Sequence, residues 1–236
     1  MLDWSYEDEM LKQRLLNNID KETMEWMQRK TQSFIKLMSY YRCAMMEIET
    51  KFKVLSEEYS LEYDRNPINS IKTRLKSFQS IKEKLDRRDL PLSMDSIEEN
   101  LNDVAGVRII CSFPEDVYLL ADALLSQDDI ALVNIKDYIK NPKPNGYRSL
   151  HIIVAIPIFL AKEKRMMKVE IQLRTIAMDF WASLEHQLRY KKDVEFTEEM
   201  ASELYLCAEK SAELDFRMDA LRKSVMGNKT DGDTIS

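Results

Sequence analysis

A run of cations comes first among the residues that could do chemistry. In "NPINSIKTRLKSFQSIKEKLDRR" (66–88) the spacing predicts a helix beginning at Pro67, with Ile71, Leu75, Phe78, Ile81 and Leu85 on its buried side. Lys76, Ser80, Lys84 and Arg87 then share a narrow arc on the opposite side, and no acidic residue occurs from Asn66 to Lys82. Cations with a hydroxyl and no counter-ion inside the segment suit a polyphosphate, although a solvated basic helix face has the same pattern. Arg74 falls outside the arc, toward the apolar side, which predicts an irregular turn there.

Carboxylates stand further along. "LNDVAGVRII" puts Asp103 just before a strand, Gly106 at its start and Arg108 opposite Val107 and Ile109. Asp103 could simply cap a turn and Gly106 could relieve close packing. A carboxylate at a strand end also suits Mg²⁺, which takes one or two protein carboxylates plus substrate phosphates. In "MKVEIQL" and the arginine after it, Lys168, Glu170, Gln172 and Arg174 share one face of a strand and Val169, Ile171 and Leu173 the other. An exposed edge explains four polar residues equally well. If the two strands are neighbours, Asp103 and Glu170 form the carboxylate pair of metal-assisted phosphoryl chemistry.

The stretch "NPKPNGYRSLHI" (141–152) uses one of only four glycines and one of only two histidines, beside two prolines. It joins two expected strands, where a loop can present side chains from a rigid edge. No Walker loop, dinucleotide fingerprint or HExxH helix occurs, and no Ser-His-Asp set stands out. What remains is a site of cations, carboxylates and an aromatic ring.

The elements that must position these residues are legible from periodicity. Phe34, Met38, Tyr41, Met45, Ile48, Phe52, Leu55 and Tyr59 mark a long amphipathic helix with a heptad-like seam. Met200, Leu204, Cys207, Ser211, Leu214, Met218, Leu221 and Val225 mark another, and the two could pack on their own domain or supply a subunit interface. Between them strands are expected at Val107–Phe113, Ile130–Ile135, Leu150–Ile156 (stopped by Pro157) and Met167–Leu173, with a helix at Glu115–Leu125. A last helix follows Thr175 as N-cap, with Phe180, Trp181, Leu184 and Leu188 as its packing side, and Glu185 and His186 facing solvent or supporting the site. The expected fold class is α+β, a mixed sheet flanked by helices, with one domain over 1–225 and a disordered tail at 226–236.

The 236 residues carry a net charge of −6, which argues against coating nucleic acid, DNA or RNA, as a main task. Three widely spaced cysteines suggest neither disulfides nor a zinc knuckle, and the acidic start and lack of a long apolar run predict a cytoplasmic protein without a membrane anchor.

"RLKSFQSIKEKLDRR", "DVAGVRIICSF", "GYRSLHI" and "VEIQLRTIAMDFWASLEHQLRYK", in that order, resemble the small alarmone synthetases, single-domain relatives of the Rel/Spo enzymes. "NPKPNGYRSLHI" and the long first helix bring the chain closest to the RelP type, and the likeness spans roughly Phe34 to Leu221. The resemblance implies a nucleotidyltransferase-like sheet and transfer of the β,γ-pyrophosphate of ATP to the 3′-hydroxyl of GDP or GTP, with Mg²⁺. It implies that Arg74 and Arg108 sandwich adenine, that Lys76, Ser80, Lys84 and Arg87 hold the ATP phosphates, and that Asp103 and Glu170 hold the metal. Glu170 is also implied as the base. For the acceptor it implies Tyr147 against guanine, Lys136, Lys143 and His151 at the phosphates, and Gln172 and Glu185 in support. Lys136 stands where many relatives have Arg, so a point charge replaces a bidentate grip.

The resemblance further implies a homotetramer, no hydrolase domain and no ribosome-sensing region. Asp179 follows "IAM" where the RelQ type commonly has Asn, so weak or absent activation by product is expected. Two other readings compete: a catalytically silent nucleotide- or RNA-binding module on the same fold, and an enzyme that transfers a nucleotidyl group with the same metal logic.

Overall fold

The structure, a computed structural model, describes residues 21–62, 65–189 and 196–227. These fall into two compact units divided between Tyr40 and Tyr41. Helix α1 (Lys21–Glu62) contributes to both, and in the second unit it buries Tyr41, Ala44, Ile48, Phe52 and Leu55. Tyr41, Ile48, Phe52 and Leu55 belong to the expected stripe; Ala44 is added, and Met45 and Tyr59 of that stripe are only half-buried. The tail expected at 226–236 lies outside the described residues except for the end of the last helix.

The segment after Pro67 is a strand rather than the start of a helix. β1 (Ile68–Leu75) is followed by helix α2 (Phe78–Asp86), which begins where the Ser77 hydroxyl accepts from the Ser80 N–H at 3.2 Å. The apolar residues fit a helical stripe, but a strand lets Ile68–Leu75 pair along β2 (Ala105–Cys111), and Ile68, Ile71 and Thr73 are β-branched. The irregularity at Arg74 disappears with this correction: Lys72 and Arg74 are alternate residues of one strand face. Helix α3 (Met94–Asn100), capped by Ser93, was not foreseen.

The other strands match expectation more closely. After β2 come α4 (Pro114–Leu125), β3 (Ala131–Asp137), β4 (Leu150–Phe159) and β5 (Lys164–Thr175). They form a five-stranded sheet in the order β1-β2-β5-β4-β3, with β2 and β5 parallel and the other pairs antiparallel. β4 runs through Pro157 instead of stopping there. β3 pairs with β4 only as far as Ala155, so the strand beyond has an open side that can accommodate a residue without an N–H.

One face of the sheet is the core: Val107, Ile109, Ile152, Val154, Ile171 and Leu173 are all fully buried. Each such aliphatic side chain contributes about 1.5–3 kcal/mol of burial. The opposite face carries the polar residues.

Helix α5 (Ile176–Arg189) starts at Thr175, whose hydroxyl accepts from the Met178 N–H at 3.1 Å as expected of an N-cap. Its packing side is Met178, Trp181 and Ala182: of the expected row Trp181 is buried, while Phe180, Leu184 and Leu188 are exposed. Helix α6 (Glu198–Gly227) lies against α5. It turns Ala208, Asp215 and Asp219 inward, leaving Met200, Leu214, Met218, Leu221 and Val225 of its apolar seam exposed.

Candidate functional site

Backbone register brings the polar residues together. Residues paired directly across neighbouring strands project from the same face. Lys72 on β1 pairs with Arg108 on β2, Arg108 with Gln172 on β5, Gln172 with His151 on β4, and His151 with Lys136 on β3. A single row therefore crosses the whole sheet. The next row runs Arg74, Gly106, Glu170. A Cβ at Gly106 would meet nothing closer than the Arg74 carbonyl oxygen at 3.6 Å, an ordinary contact, so close packing does not require this glycine. It lines a cavity of about 270 Å³ bounded also by Lys72, Arg74, Arg108, Glu170 and Gln172, with Lys76 and Asp103 completing the wall. A side chain at 106 would occupy that space.

Asp103 is prepared asymmetrically. Its Oδ2 accepts from Lys76 Nζ at 2.5 Å and Lys84 Nζ at 2.7 Å, while its buried Oδ1 has no hydrogen-bond partner. Burial alone would raise this carboxyl, but the two lysine bonds outweigh it and hold the pKa below the usual aspartate range. The lysines thus have a counter-ion after all, supplied by another segment. Among the described residues no cluster of three or more His, Cys, Asp or Glu side chains could hold a metal. Asp103 lines a phosphate-sized cavity together with Glu170, and a carboxylate so placed fits Mg²⁺, whose remaining ligands are substrate and water. Ser80 and Lys84 on α2, and Arg87 at its C-cap, do not line the cavity; Arg87 Nε donates to the Glu83 carbonyl at 3.2 Å.

Glu170 is the second carboxylate on the same wall. Gln172 Nε2 donates to its Oε2 at 3.0 Å, and His151 Nδ1 lies 3.4 Å from its Oε1. Burial pushes its pKa up, but the donors from His151 and Gln172 prevail and leave it lowered.

The turn between β3 and β4 delivers Tyr147. The Gly146 N–H donates to the Lys143 carbonyl at 2.8 Å, closing a turn with Pro144 at its second position, and the Tyr147 N–H donates to Asn145 Oδ1 at 3.2 Å. Gly146 has φ +85°, and a Cβ there would lie 2.5 Å from that of Ala208 on α6, so only glycine fits. The Tyr147 hydroxyl is 2.8 Å from His151 Nε2, and its ring makes edge contacts with Tyr138 and His151. Lys143 Nζ lies 4.7 Å from the ring centroid. Lys136 is exposed on β3. Glu185 accepts from Asn145 Nδ2 at 3.3 Å and pairs with Arg189, reaching the turn rather than the ring.

Three participants were missed. Arg174, buried at 4 % exposure, donates to Tyr147 Oη at 2.6 Å and Gln172 Oε1 at 3.0 Å. Asp179, in the first turn of α5, bonds Lys72 at 2.9 Å, Arg108 at 3.2 Å and Arg174 at 3.3 Å. Burial would raise its carboxyl, yet the Lys72 bond and the two arginines hold it lowered. Arg174 was visible as the fourth polar residue of β5; Lys72 was hidden by the helical reading of β1.

A mixed sheet bearing cations, two carboxylates and an aromatic turn has the side chains that polyphosphate binding requires. Residues 73–195 match the region found in RelA / SpoT proteins, and the chain belongs to that family. It is 45 % identical over 185 residues to the GTP pyrophosphokinase YwaC of Bacillus subtilis, covering 78 % of this chain and 88 % of that one. The small alarmone synthetase 2 of Bacillus subtilis superposes with a TM-score of 0.74 at 42 % identity, over 81 % of this chain and 98 % of that one. Small alarmone synthetase 1 from the same organism, bound to its product pppGpp, superposes at 0.75 with 35 % identity, over 82 % and 98 %.

Proposed function

We propose that the chain is a (p)ppGpp synthetase, a GTP pyrophosphokinase in which residues 1–225 act as one synthetase domain. It moves the β,γ-pyrophosphoryl group of ATP onto the ribose 3′-oxygen of GDP or GTP. The new bond joins that oxygen to Pβ, the bond from Pβ to the bridging oxygen of the α-phosphate breaks, and AMP leaves. The observation that carries this reading is the cavity wall on which Asp103, with its bare Oδ1, and Glu170 stand beside Arg74 and Arg108. The names of relatives of this length, and the product bound to one of them, support it.

In this reading Arg74 and Arg108 flank adenine, and Lys76, Lys84, Ser80 and Arg87 take the phosphates. Asp103 and Glu170 would hold Mg²⁺, which when bound neutralises the charge developing on the transferred group. Glu170 accepts the 3′-hydroxyl proton. Tyr147 stacks on guanine once Lys143 withdraws from its ring toward the acceptor phosphates, with Lys136 and His151 assisting and Gln172 and Glu185 supporting the pocket. Asp179 is already engaged by Lys72, Arg108 and Arg174, which supports the expectation of weak product activation. The exposed seam of α6 is offered as a subunit surface of a homotetramer working in the cytoplasm.

The test is incubation with labelled ATP, Mg²⁺ and GDP or GTP. AMP and a 3′-pyrophosphorylated guanine nucleotide are expected. Free pyrophosphate would indicate nucleotidyl transfer instead, and no turnover would leave the silent binding module.

A further inference from the structure

Arg174 is buried, does not itself line the cavity and offers only donors. Four of its five N–H groups are accounted for. Nη2 donates to Tyr147 Oη and to Gln172 Oε1, Nη1 to Asp179 Oδ1, and Nε to Ser149 Oγ at 3.4 Å. Ser149 can accept because its own hydrogen goes to the Leu173 carbonyl at 3.2 Å.

These donors dictate the direction of everything downstream. Tyr147 Oη accepts from Arg174, so its single hydrogen goes to its other neighbour, His151 Nε2, 2.8 Å away. Nε2 is then an acceptor, and the imidazole must carry its proton on Nδ1, the nitrogen facing Glu170. On the second arm Gln172 presents its oxygen to Arg174, so its amide nitrogen faces Glu170. Both carboxylate oxygens of Glu170 therefore meet N–H groups whose orientation traces back to one guanidinium. Reversing either arm would turn an imidazole or amide lone pair onto a carboxylate.

We infer that Arg174 is a positioning residue for the acceptor half of the reaction: it fixes the His151 tautomer and the Gln172 amide so that both point donors at Glu170, and it holds the Tyr147 ring. Through Asp179, which also binds Arg108, the same residue is tied to the donor half of the cavity. This rests on the synthetase reading for its consequence in turnover, but not for the tautomer.

The experiment uses the full chain labelled with ¹⁵N-histidine, which gives signals from only two residues, with His186→Gln to assign them. Long-range ¹H–¹⁵N correlation at a pH where the imidazole is neutral reports which nitrogen of His151 is protonated. The wild type is expected as the Nδ1–H form. Arg174→Met is expected to release it toward the Nε2–H form and to lower kcat roughly tenfold or more, with affinity for a non-hydrolysable ATP analogue changed less than about twofold. Arg174→Lys, which keeps the charge but loses the fork, should show the same pattern and serves if the methionine variant does not fold. An Nε2–H wild type, or a variant keeping both the Nδ1–H form and normal turnover, would overturn the inference. A wild type with the Nδ1–H form but no AMP production sinks the synthetase reading and leaves the hydrogen-bond assignment standing.

Discussion

Replacing Tyr147 by Ala isolates the acceptor pocket. A base stacked on an aromatic ring contributes about 1–3 kcal/mol. Against this stands the ammonium of Lys143, 4.7 Å from the ring centroid, which the base must displace at a cost of about 0.5–1 kcal/mol. Taken at mid-range the net loss is about 1.3 kcal/mol, roughly an eightfold weakening of GDP or GTP. Removing the hydroxyl also strands Arg174 Nη2 and His151 Nε2, so Tyr147→Phe, which keeps the ring, separates stacking from hydrogen bonding. Calorimetric titration of GDP, and separately of a non-hydrolysable ATP analogue, reads both halves of the cavity. GDP affinity should fall in the alanine variant and largely survive in the phenylalanine one, with the ATP analogue unaffected in both. A GDP affinity altered by less than about twofold in Tyr147→Ala, or an equal loss for the ATP analogue, would refute the stacking role.

Glu170→Gln should abolish turnover while ATP-analogue binding remains measurable by titration; near-normal turnover would remove Glu170 as the base. Asp215 on α6, buried beside Asp219 and accepting from Thr175 at 2.6 Å, has its pKa pushed up to about 6, chiefly by burial. A raised folded-state pKa gives stability that is present below about pH 4 and lost as pH rises through about 6, on the order of 3 kcal/mol. Asp215→Asn should therefore match the wild type at low pH and exceed it at neutral pH in denaturant melts. Gly146→Ala forces a side chain into left-handed backbone and against Ala208, costing about 1–2 kcal/mol from backbone alone. Its melting temperature should fall by several degrees and recover in part when Ala208→Gly is added. Added pppGpp should stimulate synthesis little; strong stimulation would show that the ion-paired Asp179 does not prevent activation.

How far the residues were legible depended on period. β2, β4 and β5 alternate cleanly because one face is core and the other polar, so Glu170, Gln172 and Arg174 could be put on one side from sequence. β1 could not: it is a half-exposed edge strand whose residues also satisfy a helical stripe, and pairing with β2 decided the matter. That error detached Lys72 and Arg74 from Arg108, their neighbour across the strand pair. The counter-ion of Lys76 and Lys84 was illegible for a different reason, since Asp103 arrives from a segment 19 and 27 residues away in sequence. On α5 only Trp181 of the expected stripe turns inward, and on α6 the apolar seam faces largely outward because Ala208, Asp215 and Asp219 take the inner side. Hydropathy alone cannot tell a face that meets its own core from one left for another surface.

The two carboxylates of the cavity are prepared for different tasks, and the difference follows from what each one meets. Asp103 is bonded by two ammonium groups through one oxygen and by nothing through the other. An incoming polyphosphate can draw the lysines to itself, since phosphate oxygens offer them charge-assisted bonds of the same kind. Asp103, so released, would be free to hold a divalent cation, and charge would be exchanged between partners rather than left buried alone. Among the described residues Glu170 has no lysine or arginine partner; its donors are an amide and an imidazole. A carboxylate held by an amide and one long imidazole contact keeps more basicity than one bound by two ammonium groups, which suits the group proposed to accept a proton. The division of labour lies in the distribution of cations: Arg108 and Arg174, on the same face of the sheet, are tied to Asp179 instead.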